Sequence, residues 1–278
     1  LAQPDGIQGA NGPSLNKAIT VHSFKGGTGK SNLSANTALT LARRGWNVVL
    51  FDFDFRAPSL NALLQCNGVE FYINDWLAQN CELPEVLIDL SEQFHTKGRF
   101  QVGFTNPSGQ AINEMTIRSL DEEWQARVLQ LVLDGKDLLF ERFGINFQIF
   151  DTSPGFALSS INAILAADEL ILVIKMDQLD IVGTQHLIKG VYNQTLGKRP
   201  ELIINKVPCS MLQSSEDYSK LKTSLSRRLG IEVVSIIPCF CEVMENMSQS
   251  LFVEKNPDHQ FSQSIMQLAT HFETENSW

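Results

Sequence analysis

One uninterrupted passage, AITVHSFKGGTGKSNLSANTALTLARRG over residues 18–45, constrains the fold more than any other part of the chain. Its first seven residues are a short, mostly apolar run, the pattern of a strand buried on both faces. Three glycines follow within four positions, Gly26, Gly27 and Gly29. Leu33, Thr37, Ala38, Leu41 and Ala42 then recur at helical spacing over residues 31–44. Gly45 closes that helix behind Arg43 and Arg44, with cations at the negative end of its dipole. A strand that turns through glycines directly into a helix aims backbone N–H groups at a point in front of the helix, where an anion is held.

The remaining sequence continues the alternation. Strands are expected at residues 46–53, 100–104, 146–150, 170–176, 201–205 and 232–237. Helices are expected at 74–77, 121–143, 157–166, 182–194, 218–229 and 259–271, with short helices and loops across 58–98. Short apolar strands alternating with helices imply a mainly parallel sheet covered on both faces. No internal repeat and no Pro- or Ser-rich linker divides the chain. One α/β domain is therefore expected over residues 17–273, with a Gly/Pro/Asn-rich leader at 1–16 and a tail at 274–278.

The net charge of −9 argues against nucleic-acid binding by the whole surface, though not against a local basic patch. The run at 170–174 is far short of the ~20 apolar residues that a membrane span needs. The leader has no apolar core segment of a signal peptide, and the five scattered cysteines read as reduced thiols, so a cytoplasmic location is expected.

Within the loop, Gly26, Gly27 and Gly29 permit the backbone torsions of a phosphate cradle, with Thr28 tolerated between them. Lys30 would reach the β- and γ-phosphates, and the Ser31 hydroxyl would ligate Mg²⁺. The plainer alternative is a glycine-rich surface turn that happens to end in Lys-Ser. The strict pattern G-x-x-x-x-G-K-[ST] fails at its first glycine, which is Phe24. In its place the loop gains Lys25, set too far along the turn to duplicate Lys30 and better placed to reach phosphates held by a second copy of the chain. Such a contact would be isologous, as in most homodimers.

The form KGGTGKS resembles the deviant Walker A loop of the MinD/ParA ATPases. The resemblance implies a single three-layer P-loop NTPase domain and ATP with Mg²⁺ as cofactors. It also implies a nucleotide-sandwiched homodimer in the ATP state, with Lys25 acting across the interface. It covers roughly residues 17–270.

Two carboxylate stations lie at the ends of expected strands, where open parallel sheets bind ligands. In the first, FDFDFRAP over 51–58, two aspartates close an apolar strand, an expensive arrangement to bury without a cation. The resemblance assigns Asp54 to the attacking water and Asp52 to the support of the metal and the loop lysine. The alternative is a pair of turn aspartates. In the second, FQIFDTSPG over 147–155, Asp151 ends an apolar strand in the Walker B manner and would hold Mg²⁺ through water. The run DTSPG is similar to the family's segment with one residue interposed, which leaves Thr152 and Ser153 unassigned.

Asn205 ends the strand IIN and, on the resemblance, reads the adenine edge; by itself such an Asn is more often a turn former. Pro238, after Ile236 and Ile237, matches the segment whose backbone closes over the base. Adenine is preferred to guanine because Asn205-Lys206 is followed by Val207-Pro208 and not by an Asp.

The sequence departs from the family at three places. The aspartate expected near the dimer interface falls on Gly183, so any interface role moves to Asp177 or Asp180 or is absent. The end HFETENSW is acidic, so no direct membrane anchor of the basic amphipathic kind is expected. Cys239 and Cys241 form a C-x-C pair that suits a soft metal, against the plainer reading of two small half-buried residues. His22, in the first strand, reads as a core residue. A basic cluster at Lys220, Lys222, Arg227 and Arg228 is either a solvated helix face or a weak DNA contact.

The expectation is an ATP-dependent, dimerising ATPase. Lys25 and Lys30 would stabilise charge on the phosphate oxygens, Asp54 would orient water, and turnover would be slow until an unidentified protein partner stimulates it. The nucleotide state would switch partner binding, for spatial positioning or partition of a cellular assembly. Two alternatives stand: a metal-cluster or metal-insertion ATPase of the same superfamily, and an adaptor that binds nucleotide without hydrolysing it.

Overall fold

The computed structural model describes residues 15–192 and 196–274. Eight strands form one sheet: β1 (Lys17–His22), β2 (Val48–Phe53), β3 (Leu87–Asp89), β4 (Phe100–Gly103), β5 (Phe147–Thr152), β6 (Glu169–Lys175), β7 (Glu201–Val207) and β8 (Val233–Pro238). Their order is β3-β4-β2-β5-β1-β6-β7-β8, parallel throughout except for the antiparallel edge pair β3–β4. The crossovers reverse direction around β1, so the loop leaving β1 sits at the switch point where such sheets bind ligands.

The helices are α1 (Lys30–Arg44), α2 (Leu60–Leu64), α3 (Ile73–Leu77), α4 (Gly109–Arg118), α5 (Glu122–Glu141), α6 (Leu158–Ala166), α7 (Gln178–Leu187), α8 (Ser215–Leu229), α9 (Cys241–Glu245), α10 (Phe252–Lys255) and α11 (Gln260–Phe272). On one face α1 is buried along most of its length, and α11 packs Ile265, Leu268 and Phe272 into the same core. On the other, α5 and α6 cover the half of the sheet around β2 and β5, and α7 and α8 cover β6 to β8. A buried aromatic block stiffens the β2–β5 pair: Phe51 stacks on Phe150 at 5.1 Å, and Phe53 meets Phe150 edge-on at 5.2 Å. Each such ring contributes about 1.5–3 kcal/mol by burial alone.

Leu15, within the segment read as leader, is already buried in the core. At the other end the Lys17 ammonium donates to the Thr274 carbonyl at 2.6 Å; the rest of the leader and residues 275–278 lie outside the described residues. Two boundaries differ from expectation for a local reason. The helix expected at 182–194 begins at Gln178, because the Asp177 carboxylate accepts the N–H groups of Leu179 and Asp180 as an N-cap. It then widens into a π turn at Ile188–Tyr192, and residues 193–195 are not described. The strand at 100–104 acquires the short partner β3. Among the described residues no helix is long and apolar enough to cross a membrane.

Candidate functional site

The site lies beyond the carboxyl ends of β1, β2, β5 and β7. Gly29 caps the N-terminus of α1 with a left-handed φ of 97°, and a Cβ there would stand 2.5 Å from Asn205 Nδ2. Only glycine meets both demands. The Lys30 ammonium is buried and donates to Ser23 Oγ at 2.9 Å, while the Ser23 hydroxyl donates to the Lys25 carbonyl at 2.6 Å. Burial lowers the Lys30 pKa, and the carboxylates of Asp151, Asp54 and Asp180 pull the other way.

Asp52 and Asp151 are register partners across β2 and β5. Both are fully buried. Burial raises the Asp151 pKa to about 7, opposed by hydrogen bonding from Ser31 and by the Lys30 charge and reinforced by Asp54. Asp52 is raised well above the ordinary range, by burial first and then by Asp151. Its oxygens accept the N–H groups of Asp54 at 3.1 Å and Leu60 at 3.4 Å, so this carboxylate shapes the turn that carries Asp54. Asp54 Oδ1 accepts the N–H groups of Arg56 and Ala57 and, at 2.6 Å, the Ser153 hydroxyl.

Asp52, Asp54 and Asp151 thus cluster, and the charges of Asp151 and Asp54 act on the buried Lys30 ammonium. Asp151 Oδ2 is buried and has no partner among the described residues. That donor set suits a divalent cation. Among the described residues no group of three or more His, Cys, Asp or Glu side chains is placed to hold a metal ion by itself. Mg²⁺ does not ask for one, since it is usually held by one or two carboxylates together with substrate phosphates and water.

Lys25 does not enter this cluster. Its ammonium is 4.0 Å from Asp177, and both side chains are partly exposed, at 35 % and 47 %. Asp180, by contrast, is buried and accepts the Lys175 N–H at 2.8 Å. Gly183 packs against Phe24: a Cβ at 183 would overlap the Cδ1 and Cε1 edge of the ring and stand 3.0 Å from Cζ.

On the far side of the loop a cavity of about 260 Å³ is bounded by Gly29, Asn32, Asn205, Lys206, Pro238 and Cys239, among others. Asn205 Nδ2 donates to the Thr28 carbonyl at 2.8 Å, and Lys206 Nζ donates to the Gly27 carbonyl at 3.0 Å. Lys206 holds a left-handed φ of 57°, uncommon for a non-glycine residue. The end of β7 therefore clasps the glycine turn.

The loop residues Gly26, Gly27, Thr28, Gly29, Lys30 and Ser31 thus adjoin Asp52, Asp54 and Asp151, with Asn205 and Pro238 at the cavity and Lys25 at the rim. Sequence reasoning passed over Ser23, Ser153 and Lys206. DTSPG was the signal for Ser153, but only its tertiary contact with Asp54 gives it a task. His22 is a neutral core residue. Its Nδ1 is 2.7 Å from Thr152 Oγ1, whose own proton goes to the Val21 carbonyl, so Nδ1–H donates. Burial, then the Lys30 charge, lowers its pKa to about 3. On α8, Lys220 pairs with Glu216 at 2.7 Å and Arg228 donates to Gln178 Oε1 at 3.3 Å, while Lys222 and Arg227 share the helix.

An AAA domain family matches residues 16–204. The chain is 27 % identical over 225 residues to the septum site-determining protein MinD of Synechocystis, covering 81 % of this chain and 76 % of that protein. MinD of Pyrococcus horikoshii, solved with Mg-ADP, superposes with a TM-score of 0.73 at 19 % identity, over 94 % of this chain and 97 % of that one. A plasmid partition protein of Borrelia burgdorferi bound to AMPPNP superposes with a TM-score of 0.66 at 18 % identity, over 93 % and 96 % of the two chains.

Proposed function

The chain belongs to the AAA domain family of MinD/ParA P-loop ATPases, and from that premise we propose that it binds and hydrolyses Mg-ATP as a homodimer whose nucleotide state switches binding of a protein partner. The observation that carries this reading is the different setting of the two loop lysines: Lys30 is buried beside carboxylates, and Lys25 stands at the rim beside Asp177.

Lys30 leaves Ser23 Oγ for phosphate oxygens, guided by backbone N–H groups at the start of α1. Lys25 of each protomer reaches the nucleotide of the other, leaving Asp177. Ser31 and Asp151 would hold Mg²⁺, which would supply charge neutralisation on the phosphate oxygens, and Asp52 would support them by fixing the neighbouring turn. Asp54, held by Ser153 and by two backbone N–H groups, orients the water. Asn205 and Pro238 receive adenine in the cavity beside the loop. Few groups take part in proton transfer, so turnover is slow and partner-stimulated. Positioning or partition of a cellular assembly is the process that this switch serves, as the names of the relatives suggest.

The test is light scattering on size-fractionated protein with ATP or ADP, alongside phosphate release. Dimers are expected with ATP alone and are lost in Lys25→Ala, whose melting temperature stays that of the unmodified chain. A Lys25→Ala dimer of undiminished affinity would sink the cross-subunit assignment.

A further inference from the structure

The cavity assigned to the base carries a thiol, and a second thiol stands beside it. Val207 and Pro238 are register partners, and the Cys239 N–H donates to the Val207 carbonyl at 2.8 Å. This pairing brings Cys209 alongside, with its Sγ 3.4 Å from the Cys239 carbonyl oxygen. On its other side Cys239 Sγ meets Met244 Sδ at 3.9 Å. Cys239 is partly exposed, and Cys209 is exposed. Both can meet a reagent. The cavity that Cys239 lines, about 260 Å³, is near the lower end of small-ligand sites, which start at roughly 300 Å³. An adduct on its wall would compete with a base for that space. Cys241, two residues on, is exposed and lies outside the lining.

We propose that Cys239 is a modification site for low-molecular-weight disulfides, that its adduct excludes the nucleotide base, and that Cys209 is the resolving thiol. The Cys239 thiolate attacks one sulfur of the small disulfide, forming a mixed disulfide and releasing one small thiol. The Cys209 thiolate then attacks the Cys239 sulfur, closing a Cys209–Cys239 bond and releasing the second small thiol. Two protein thiols lose two electrons, and one small disulfide gains them. Because adduct and base occupy the same space, bound nucleotide must protect Cys239 to the degree that the adduct weakens nucleotide binding.

The inference rests on the assignment of this cavity to the base, and the experiment separates the two. Reduced full-length Cys209→Ser protein, in which the first adduct cannot be resolved, is treated with oxidised glutathione. Peptide mass mapping reads the adduct, and titration with a fluorescent ATP analogue reads binding. The expected result is an adduct at Cys239, with binding stoichiometry falling in step with the modified fraction and returning with dithiothreitol. ATP slows the reaction at Cys239 but not at Cys241. In the unmodified chain the product proceeds to a Cys209–Cys239 cross-link, and Cys239→Ser makes binding indifferent to glutathione. Full modification of Cys239 with binding unchanged would overturn the thiol inference and leave the ATPase reading standing, as would a Cys239 that stays unreactive. Reduced protein that binds no nucleotide would overturn both.

Discussion

The Cδ1–Cε1 edge of the Phe24 ring packs against Gly183, leaving no space for a side chain on α7 at that point. The phenylalanine at the start of the loop and the glycine where the family's aspartate is expected are therefore one packing unit. A phenylalanine replaces the first glycine of the loop, and a glycine on α7 makes room for it. Gly183→Ala should destabilise the fold by about 1–3 kcal/mol, the usual cost of overpacking. Phe24→Ala should relieve most of that cost in the double variant, although it loses ring burial by itself. Urea denaturation of the four proteins measures the coupling, and additive effects would mean that the ring simply swings aside.

Ser153 donates to Asp54 at 2.6 Å, and that bond is the one side-chain restraint on Asp54 among the described residues. If Asp54 orients water, Ser153→Ala should lower kcat roughly tenfold, since about 1.4 kcal/mol of lost positioning corresponds to that factor. KM should hardly move, because Ser153 touches neither the glycine loop nor the base cavity. Steady-state kinetics decides this. An equal rise in KM with kcat unchanged would place Ser153 in ground-state binding.

The central sheet and most of the site could be read from the chain before any coordinates. Apolar strands ending in Asp52, Asp151 and Asn205 leave each polar group no place except the carboxyl edge, and the parallel register then pairs Asp52 with Asp151. What escaped notice has little local pattern. The edge strand β3 is three residues long, and α4 buries only Met115, so neither leaves a periodic apolar signal. Ser153 and Asp54 are 99 residues apart, and the Lys206 ammonium meets the Gly27 carbonyl across 179 residues, so neither contact leaves a local pattern. The Asp177 cap moved the start of α7 because a capping oxygen counts for more than the first apolar residue.

The other end of the sheet titrates. His271 on α11 is 2.6 Å from the Glu201 carboxylate, and hydrogen bonding to Glu201 raises its pKa above the ordinary 6.5 despite partial burial. A folded-state pKa above the unfolded one means that this stabilisation is fully present below about pH 6.5 and is lost as pH rises through the folded value. The melting temperature of His271→Gln should therefore fall below that of the unmodified chain at pH 6, with the gap closing on the alkaline side. A gap that stays constant with pH would show that the pair contributes through packing alone.

Asp151 supplies the last prediction, because burial leaves its carboxyl half-protonated near neutrality, at about 7. A Mg²⁺ ligand must be ionised, so loading the site with Mg-ATP at pH 6.5 should expel a proton that the free protein carries. Calorimetric titrations in buffers of different ionisation enthalpy should show net proton release at pH 6.5 that fades by pH 8, with affinity rising over the same interval. Asp151→Asn, uncharged at every pH, should remove the buffer dependence along with most of the Mg²⁺ requirement for tight binding. The release itself is the discriminating part. Loading without proton release would mean that Asp151 is already ionised in the free protein, its charge carried by Lys30 and Ser31, and the cation would then gain no new carboxylate by arriving.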